Sequence, residues 1–258
     1  MTVTARGQAA QPPVGLPPIV QVCLFDLDGV LTQTAKVHAA AWAEMFDDYL
    51  RGRADAGGDP FRSFTPDDYN RYVDGKPRAD GTRSFLESRG INLAEGGSDD
   101  PPDAETVNGL GNRKNELVLQ KIDEGKVEVY DGSVAYLDAV RAAGMRTAVV
   151  SSSANCEAVV EAAGIADLLD VRVDGSTAGE RQLAGKPKPD MFLAAASDLG
   201  VGPDEAAVFE DAIAGVQAGR AGSFGFVIGV DRVGQRDELL AQGADIVVDD
   251  LADLLEDR

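Results

Sequence analysis

Phe25-Asp26-Leu27-Asp28-Gly29-Val30-Leu31-Thr32 closes an apolar run, Ile19-Val20-Gln21-Val22-Cys23-Leu24-Phe25, with two carboxylates two residues apart. Val, Ile and Phe favour strands, and a strand does not ordinarily end in a bare aspartate pair followed at once by Gly. One explanation is an Asp-Gly turn. The other is chemical. One carboxylate can attack an electrophile while its neighbour moves protons, and together they can hold a hard cation.

Working outward, apolar strands are expected at 20–25, 146–150, 207–209, 224–229 and 245–248, with helical periods at 133–143, 156–163, 189–199, 212–218 and 236–242. Gly144, Gly164, Gly200 and Gly243 follow four of those helices, as C-terminal stop signals do. This alternation predicts an α/β fold with a parallel sheet and crossover helices. Residues 36–126 differ: they show no strand pattern and read as helices at 37–51, 66–72, 81–88 and 111–122. Such a block is expected to be an inserted all-helical cap domain, since insertions sit easily in loops on the functional edge. The expected division is a flexible tail at 1–18, an α/β core from 19–35 plus 127–258, and the cap between them. The acidic stretch at 96–103 reads as a solvated loop.

Lys and Arg number 24 against 44 Asp and Glu, a formal net charge of −20. That balance argues against nucleic acid or an anionic membrane face as partner, because both need clustered positive charge. An anionic substrate would need a local cationic site within this negative field. Cys23 and Cys156 form neither a disulfide framework nor a zinc spacing. No apolar run reaches the roughly 20 residues of a membrane span, and the N-terminus lacks the apolar segment of a secretory signal. The expected location is cytoplasmic and the expected state a monomer.

Three later segments supply chemical context for the aspartates. Val149-Val150-Ser151-Ser152-Ser153-Ala154-Asn155 ends a strand in hydroxyls and amides, suited to a phosphate oxygen or to helix capping. Gly185-Lys186-Pro187-Lys188-Pro189-Asp190 offers Lys186 on a backbone stiffened by proline, where a surface turn is the plain alternative. Val208-Phe209-Glu210-Asp211 ends another strand in a second acidic pair. Acids gathered on neighbouring strand ends repel unless a cation such as Mg²⁺ lies between them. One of the pair could instead cap the next helix.

Together, Asp-x-Asp, Ser, Lys and Glu-Asp at successive strand ends resemble the haloacid dehalogenase-like phosphotransferases, over roughly residues 20–250. The continuation to Thr34 and His38, the segment Asp74-Gly75-Lys76-Pro77-Arg78, and Ser151-x-Ser153-x-Asn155 look like the β-phosphoglucomutase group within them. The resemblance implies a Rossmann-like doubly wound core and aspartyl-phosphate chemistry. Asp26 would be the nucleophile and Asp28 the acid and base. Mg²⁺ would be held by Asp26, Asp28 (through its backbone carbonyl), Glu210 and Asp211. Phosphate and sugar contacts would come from Thr34, His38, Gly75, Arg78, Ser151, Ser153, Asn155 and Lys186. The implied reaction converts β-glucose 1-phosphate to glucose 6-phosphate through a bisphosphate, with a sugar-phosphate phosphatase as the alternative and a non-catalytic sensor as a remote one. Two departures from the group stand out: Asp74 where Lys is usual before the Gly, and Gln33 where Asp is usual before Thr34.

His38 is the sole histidine, and Trp42, at helical spacing from it, reads as packing in the helical block. Rival chemistries lack their signatures. The Gly222-Ser223-Phe224-Gly225 stretch is no nucleophile elbow, Gly179 to Lys186 is not a P-loop, and Gly109-Leu110-Gly111 follows no strand.

Overall fold

The computed structural model describes residues 14–124 and 127–255. Six parallel strands form one sheet: β1 (Val22–Phe25), β2 (Arg146–Val150), β3 (Val171–Val173), β4 (Ala206–Glu210), β5 (Phe226–Val230) and β6 (Ile246–Val248), in the spatial order β3-β2-β1-β4-β5-β6. β1 is central, and the order reverses on either side of it, between β2 and β4. In open α/β sheets ligands bind at such a reversal, beyond the carboxyl ends of the strands. Asp26 follows β1 there.

β1 shows why the run is apolar without alternation. Cys23 and Phe25 enter the core on one face, with Tyr136, Val149 and Phe209, while Val22 and Leu24 enter the core on the other, with Ala148, Phe192 and Val208. Both faces are covered, so every position on the strand is apolar. Phe25 stacks on Phe209 with ring centroids 4.4 Å apart, fixing the neighbouring strand ends against each other.

The helices of the first half are α1 (Ala35–Asp55), the single turn α2 (Pro66–Asp68) continuing into a π-helical turn at Tyr69–Val73, α3 (Arg78–Ser88) and α4 (Val107–Glu124). They share a core of their own. Trp42, Met45, Phe46 and Tyr49, at helical spacing on α1, pack with Phe64, Phe85, Leu86 and Leu110. The sheet is flanked by α5 (Asp131–Ala142), α6 (Cys156–Ala162), α7 (Gly175–Arg181), α8 (Asp190–Asp198), α9 (Ile213–Ala221) and α10 (Arg236–Gln242).

Several boundaries differ from the sequence pattern. β3 and α7 were not expected: β3 has only three residues at the sheet edge, and α7, Gly-Ser-Thr-Ala-Gly-Glu-Arg, has no apolar period. The helix expected from Gly81 begins at Arg78, directly after Pro77. Of the expected tail, residues 1–13 lie outside the described residues, as do 125 and 126 at the expected end of the helical block. Val14 and Leu16 pack against the core, and the Val14 carbonyl accepts a hydrogen bond from Tyr136 Oη at 2.8 Å. Among the described residues no helix is long and apolar enough to cross a membrane.

Candidate active site

Strand register brings the first groups together. Phe25 pairs with Val149 on one side and Phe209 on the other, so Asp26, Val150 and Glu210 follow at one level. Lys186 joins all three. Its Nζ lies 2.5 Å from Asp26 Oδ1, 2.6 Å from Glu210 Oε1 and 2.9 Å from the Val150 carbonyl oxygen. The lysine is fully buried, and its ammonium also lies 5.0 Å from the centre of the Phe192 ring. Burial opposes a charged lysine, but the two carboxylates outweigh it and hold Lys186 above its ordinary range. Burial pushes the Asp26 carboxyl well above the usual range, with Lys186 pulling it back down.

One lysine cannot balance every acid here. Asp26, Glu210 and Asp211, all buried, each offer an oxygen within 4.8 Å of the others. No cationic side chain pairs with Asp211 among the described residues. Burial first, then Asp74, Asp26, Glu210 and Asp28, push its carboxyl up. Close backbone approach shapes this cluster. A Cβ on Gly215 would lie 1.8 Å from the Glu210 carboxylate, and one on Gly29, whose φ is +99°, would lie 1.8 Å from Asp211 Oδ2. Three convergent, under-neutralised oxygen donors fit a hard divalent cation.

Asp28 faces elsewhere. Its Oδ1 accepts a hydrogen bond from Thr34 Oγ1, which lies 2.6 Å from Thr32 Oγ1, and His38 Nε2 stands 3.7 Å from the same Oδ1. Its carboxylate is therefore not among the oxygens that gather at Asp26, Glu210 and Asp211. Behind His38, Lys114 Nζ lies 2.9 Å from His38 Nδ1. A protonated Lys114 donates here, and Nδ1 then accepts while Nε2 carries the hydrogen toward Asp28. Burial, reinforced by Lys114 and opposed by Asp28, lowers His38 to about 4, so the ring is neutral near pH 7. Burial likewise lowers Lys114 to about 7, against the pull of Asp28.

A cavity of about 340 Å³ opens over these groups, within the usual range for small ligands. Asp26, Asp28, His38, Gly75, Arg78, Ser151 and Ser153 line it. Arg78 runs along Gly111 of α4, where a Cβ would lie 3.2 Å from its Cγ. Among the described residues no carboxylate pairs with the Arg78 guanidinium. Ser151 Oγ accepts from the Ser153 amide at 3.1 Å, and Ser153 Oγ from the Asn155 amide at 3.2 Å, so both hydroxyls also shape their own loop. Three expected contact residues do not line the cavity; Lys186, buried against Asp26 and Glu210, is one of them. Thr34 is buried on Asp28, and the Asn155 side chain donates to Asn115 Oδ1 on α4 at 2.9 Å. Trp42 is core, as expected, yet it also lines the cavity beneath Lys114. Burial lifts Asp74, another lining residue, to about 7; a hydrogen bond from Tyr69 opposes this, and Glu210 and Asp28 add to it.

Lys114, Asn115, Ser152 and Tyr69 were missed from sequence. A signal for Lys114 exists. It falls on the stripe of Val107, Leu110, Gly111 and Val118, all buried, so the charge sits on the apolar face of α4.

Asp-x-Asp at the reversal of a parallel sheet, with a buried lysine and an acidic pair on adjoining strand ends, defines a class. A sequence model of the haloacid dehalogenase-like hydrolases matches residues 20–222, and the chain belongs to that family. Within it, the chain is 55% identical over 246 residues to the β-phosphoglucomutase of Mycobacterium tuberculosis, covering 94% of each. It is 30% identical to the β-phosphoglucomutase of Bacillus subtilis, covering 91% of this chain and 92% of that one. The crystal structure of a β-phosphoglucomutase from Clostridium difficile superposes with a TM-score of 0.72 at 26% identity, covering 91% and 93% of the two chains.

Proposed function

We propose that the protein is a Mg²⁺-dependent β-phosphoglucomutase that interconverts β-glucose 1-phosphate and glucose 6-phosphate through an aspartyl phosphate on Asp26 and a bisphosphate intermediate. The observation that carries this reading is that one cavity has two anion stations. Asp26 and Ser151 line it at the strand ends, with Lys186 buried behind Asp26, while the unpaired Arg78 guanidinium comes from the helical layer. A sugar bisphosphate presents two such anions and can bind in either direction. The likeness to the M. tuberculosis enzyme supports the same reading.

In the forward half-reaction Asp26 Oδ attacks phosphorus in line and the bisphosphate's ester bond breaks. Asp28, steered by Thr34 and faced by His38 Nε2, protonates the departing sugar oxygen. In the return half-reaction it takes the proton of the attacking hydroxyl, a role worth roughly 10²–10⁴-fold. Lys186 spreads positive charge over Asp26 and the neighbouring phosphoryl oxygens. Asp26, Glu210, Asp211 and the Asp28 backbone carbonyl would hold Mg²⁺. When bound, the ion supplies charge neutralisation at the transferring group.

The test supplies β-glucose 1-phosphate with Mg²⁺ and a trace of glucose 1,6-bisphosphate. Glucose 6-phosphate should accumulate faster than free phosphate. Free phosphate as the main product would make the protein a phosphatase.

A further inference from the structure

The loop after β2 is tied to the helical layer at two points. Ser152 Oγ donates to the Gly75 carbonyl at 2.9 Å, and Asn155 Nδ2 donates to Asn115 Oδ1 at 2.9 Å. The same loop carries Ser151 and Ser153 into the cavity. Around these bonds the layers meet closely. A Cβ on Gly185 would lie 2.0 Å from Pro77 Cγ, and one on Gly75 would lie 2.9 Å from the Ala212 Cβ.

We propose that these two hydrogen bonds latch the helical layer over Asp26, and that Asn115 is a positioning residue that sets how the aspartyl phosphate divides between sugar and water. The proposal rests on the aspartyl-phosphate reading above.

Neither acceptor touches Asp26, but each is close in sequence to a group that matters. Gly75 leads through Lys76 and Pro77 into Arg78 at the start of α3. Asn115 follows Lys114 on α4, and the line from Lys114 Nζ to His38 Nδ1 (2.9 Å) and from His38 Nε2 to Asp28 Oδ1 (3.7 Å) depends on where α4 sits. With Asn155 holding Asn115, α4 is seated, His38 faces Asp28, and the cavity is roofed. Without that bond, water gains access at the same moment that Asp28 loses part of its orientation.

Both fates of the intermediate balance alike. The attacking oxygen bonds to phosphorus as the Asp26 Oδ–P bond breaks, and the electron pair returns to the carboxylate. A sugar hydroxyl gives its proton to Asp28 and leaves as a phosphate ester. Water reacting the same way leaves as inorganic phosphate. Closure decides which nucleophile is present.

The experiment measures free phosphate against glucose 6-phosphate from β-glucose 1-phosphate, Mg²⁺ and a trace of glucose 1,6-bisphosphate, in the full chain. Asn115→Ala and Ser152→Ala should each raise the ratio by roughly two- to tenfold, the worth of one hydrogen bond. Asn115→Asp keeps the acceptor for Asn155 Nδ2 and should stay within about twofold of the parent ratio. Ser152→Ala removes a single oxygen, so it keeps the test readable if Asn115→Ala does not fold. An unchanged ratio in the alanine variants, or an equal rise in Asn115→Asp, overturns the latch. Asp26→Asn is the control for the underlying reading: if it keeps turnover, the aspartyl phosphate goes and the proposal with it. If it is inactive while the alanine variants keep the parent ratio, the latch alone is wrong.

Discussion

Replacing Lys186 with methionine keeps the length of the side chain and removes the charge that joins three strand ends. In the parent, Nζ lies 2.5 Å from Asp26 Oδ1, 2.6 Å from Glu210 Oε1 and 2.9 Å from the Val150 carbonyl. In the variant the two carboxylates face each other, with oxygens within 4.8 Å. At an effective dielectric of about 20, two like charges at that separation repel by about 3.5 kcal/mol. Breaking a buried ion pair by deleting one partner costs about 3–5 kcal/mol in general. The expected loss of unfolding free energy, by urea titration in EDTA at neutral pH, is therefore about 3–5 kcal/mol. Repulsion adds to the burial that already raises the Asp26 carboxyl above its unfolded value. Stability tied to a raised carboxyl is present at low pH and lost as pH rises, so the deficit should shrink on acidification. Mg²⁺ should narrow it too, because the more acidic cluster binds the cation more tightly and ligand binding stabilises the folded state. A loss below about 1 kcal/mol in EDTA would mean that Lys186 is not what holds the acids together.

Three further outcomes follow from the same geometry. Arg78→Ala should lower kcat/KM for glucose 6-phosphate formation by roughly 10²-fold, the worth of a bidentate charged contact, while free phosphate is still released; steady-state assays of both products check this. Gly29→Ala puts a Cβ 1.8 Å from Asp211 Oδ2 at a φ of +99°, so calorimetry should show Mg²⁺ affinity falling by more than about tenfold, with stability lower by about 1–3 kcal/mol. Lys114, lowered to about 7 from 10.5, binds fewer protons folded than unfolded between those values. Its contribution should therefore make stability rise with pH across that window, by at most about 1.4 kcal/mol per unit, and Lys114→Met should remove that slope in urea titrations run at several pH values.

Much of this arrangement could be read from local sequence because a parallel strand buried on both faces must be apolar, and polar residues at its carboxyl end then stand out. That is how Asp26, Asp28, Ser151, Glu210 and Asp211 were legible, and why β2 was placed at its observed bounds, Arg146–Val150. β3 was not legible because three residues, one of them the exposed Arg172, carry no period; pairing with β2 makes it a strand. Lys114 and Asn115 were missed because their partners, His38 and Asn155, are far away in the chain. Thr34 was read as a substrate contact from the resemblance, whereas its hydroxyl is used on Asp28, a direction that sequence does not encode. The departure at Asp74 was visible in sequence. Its consequence was not, since Tyr69 and the acids that surround it come together only through the turn at Tyr69–Val73 and the end of β4.

A phosphoryl group held on Asp26 should pass to sugar. The most direct measurement loads the enzyme with glucose 1,6-bisphosphate labelled in both phosphates, removes the excess, and chases with unlabelled β-glucose 1-phosphate and Mg²⁺. Label should be on Asp26 before the chase and in sugar phosphate after it. Label absent from Asp26, or released mainly as inorganic phosphate, would contradict that transfer.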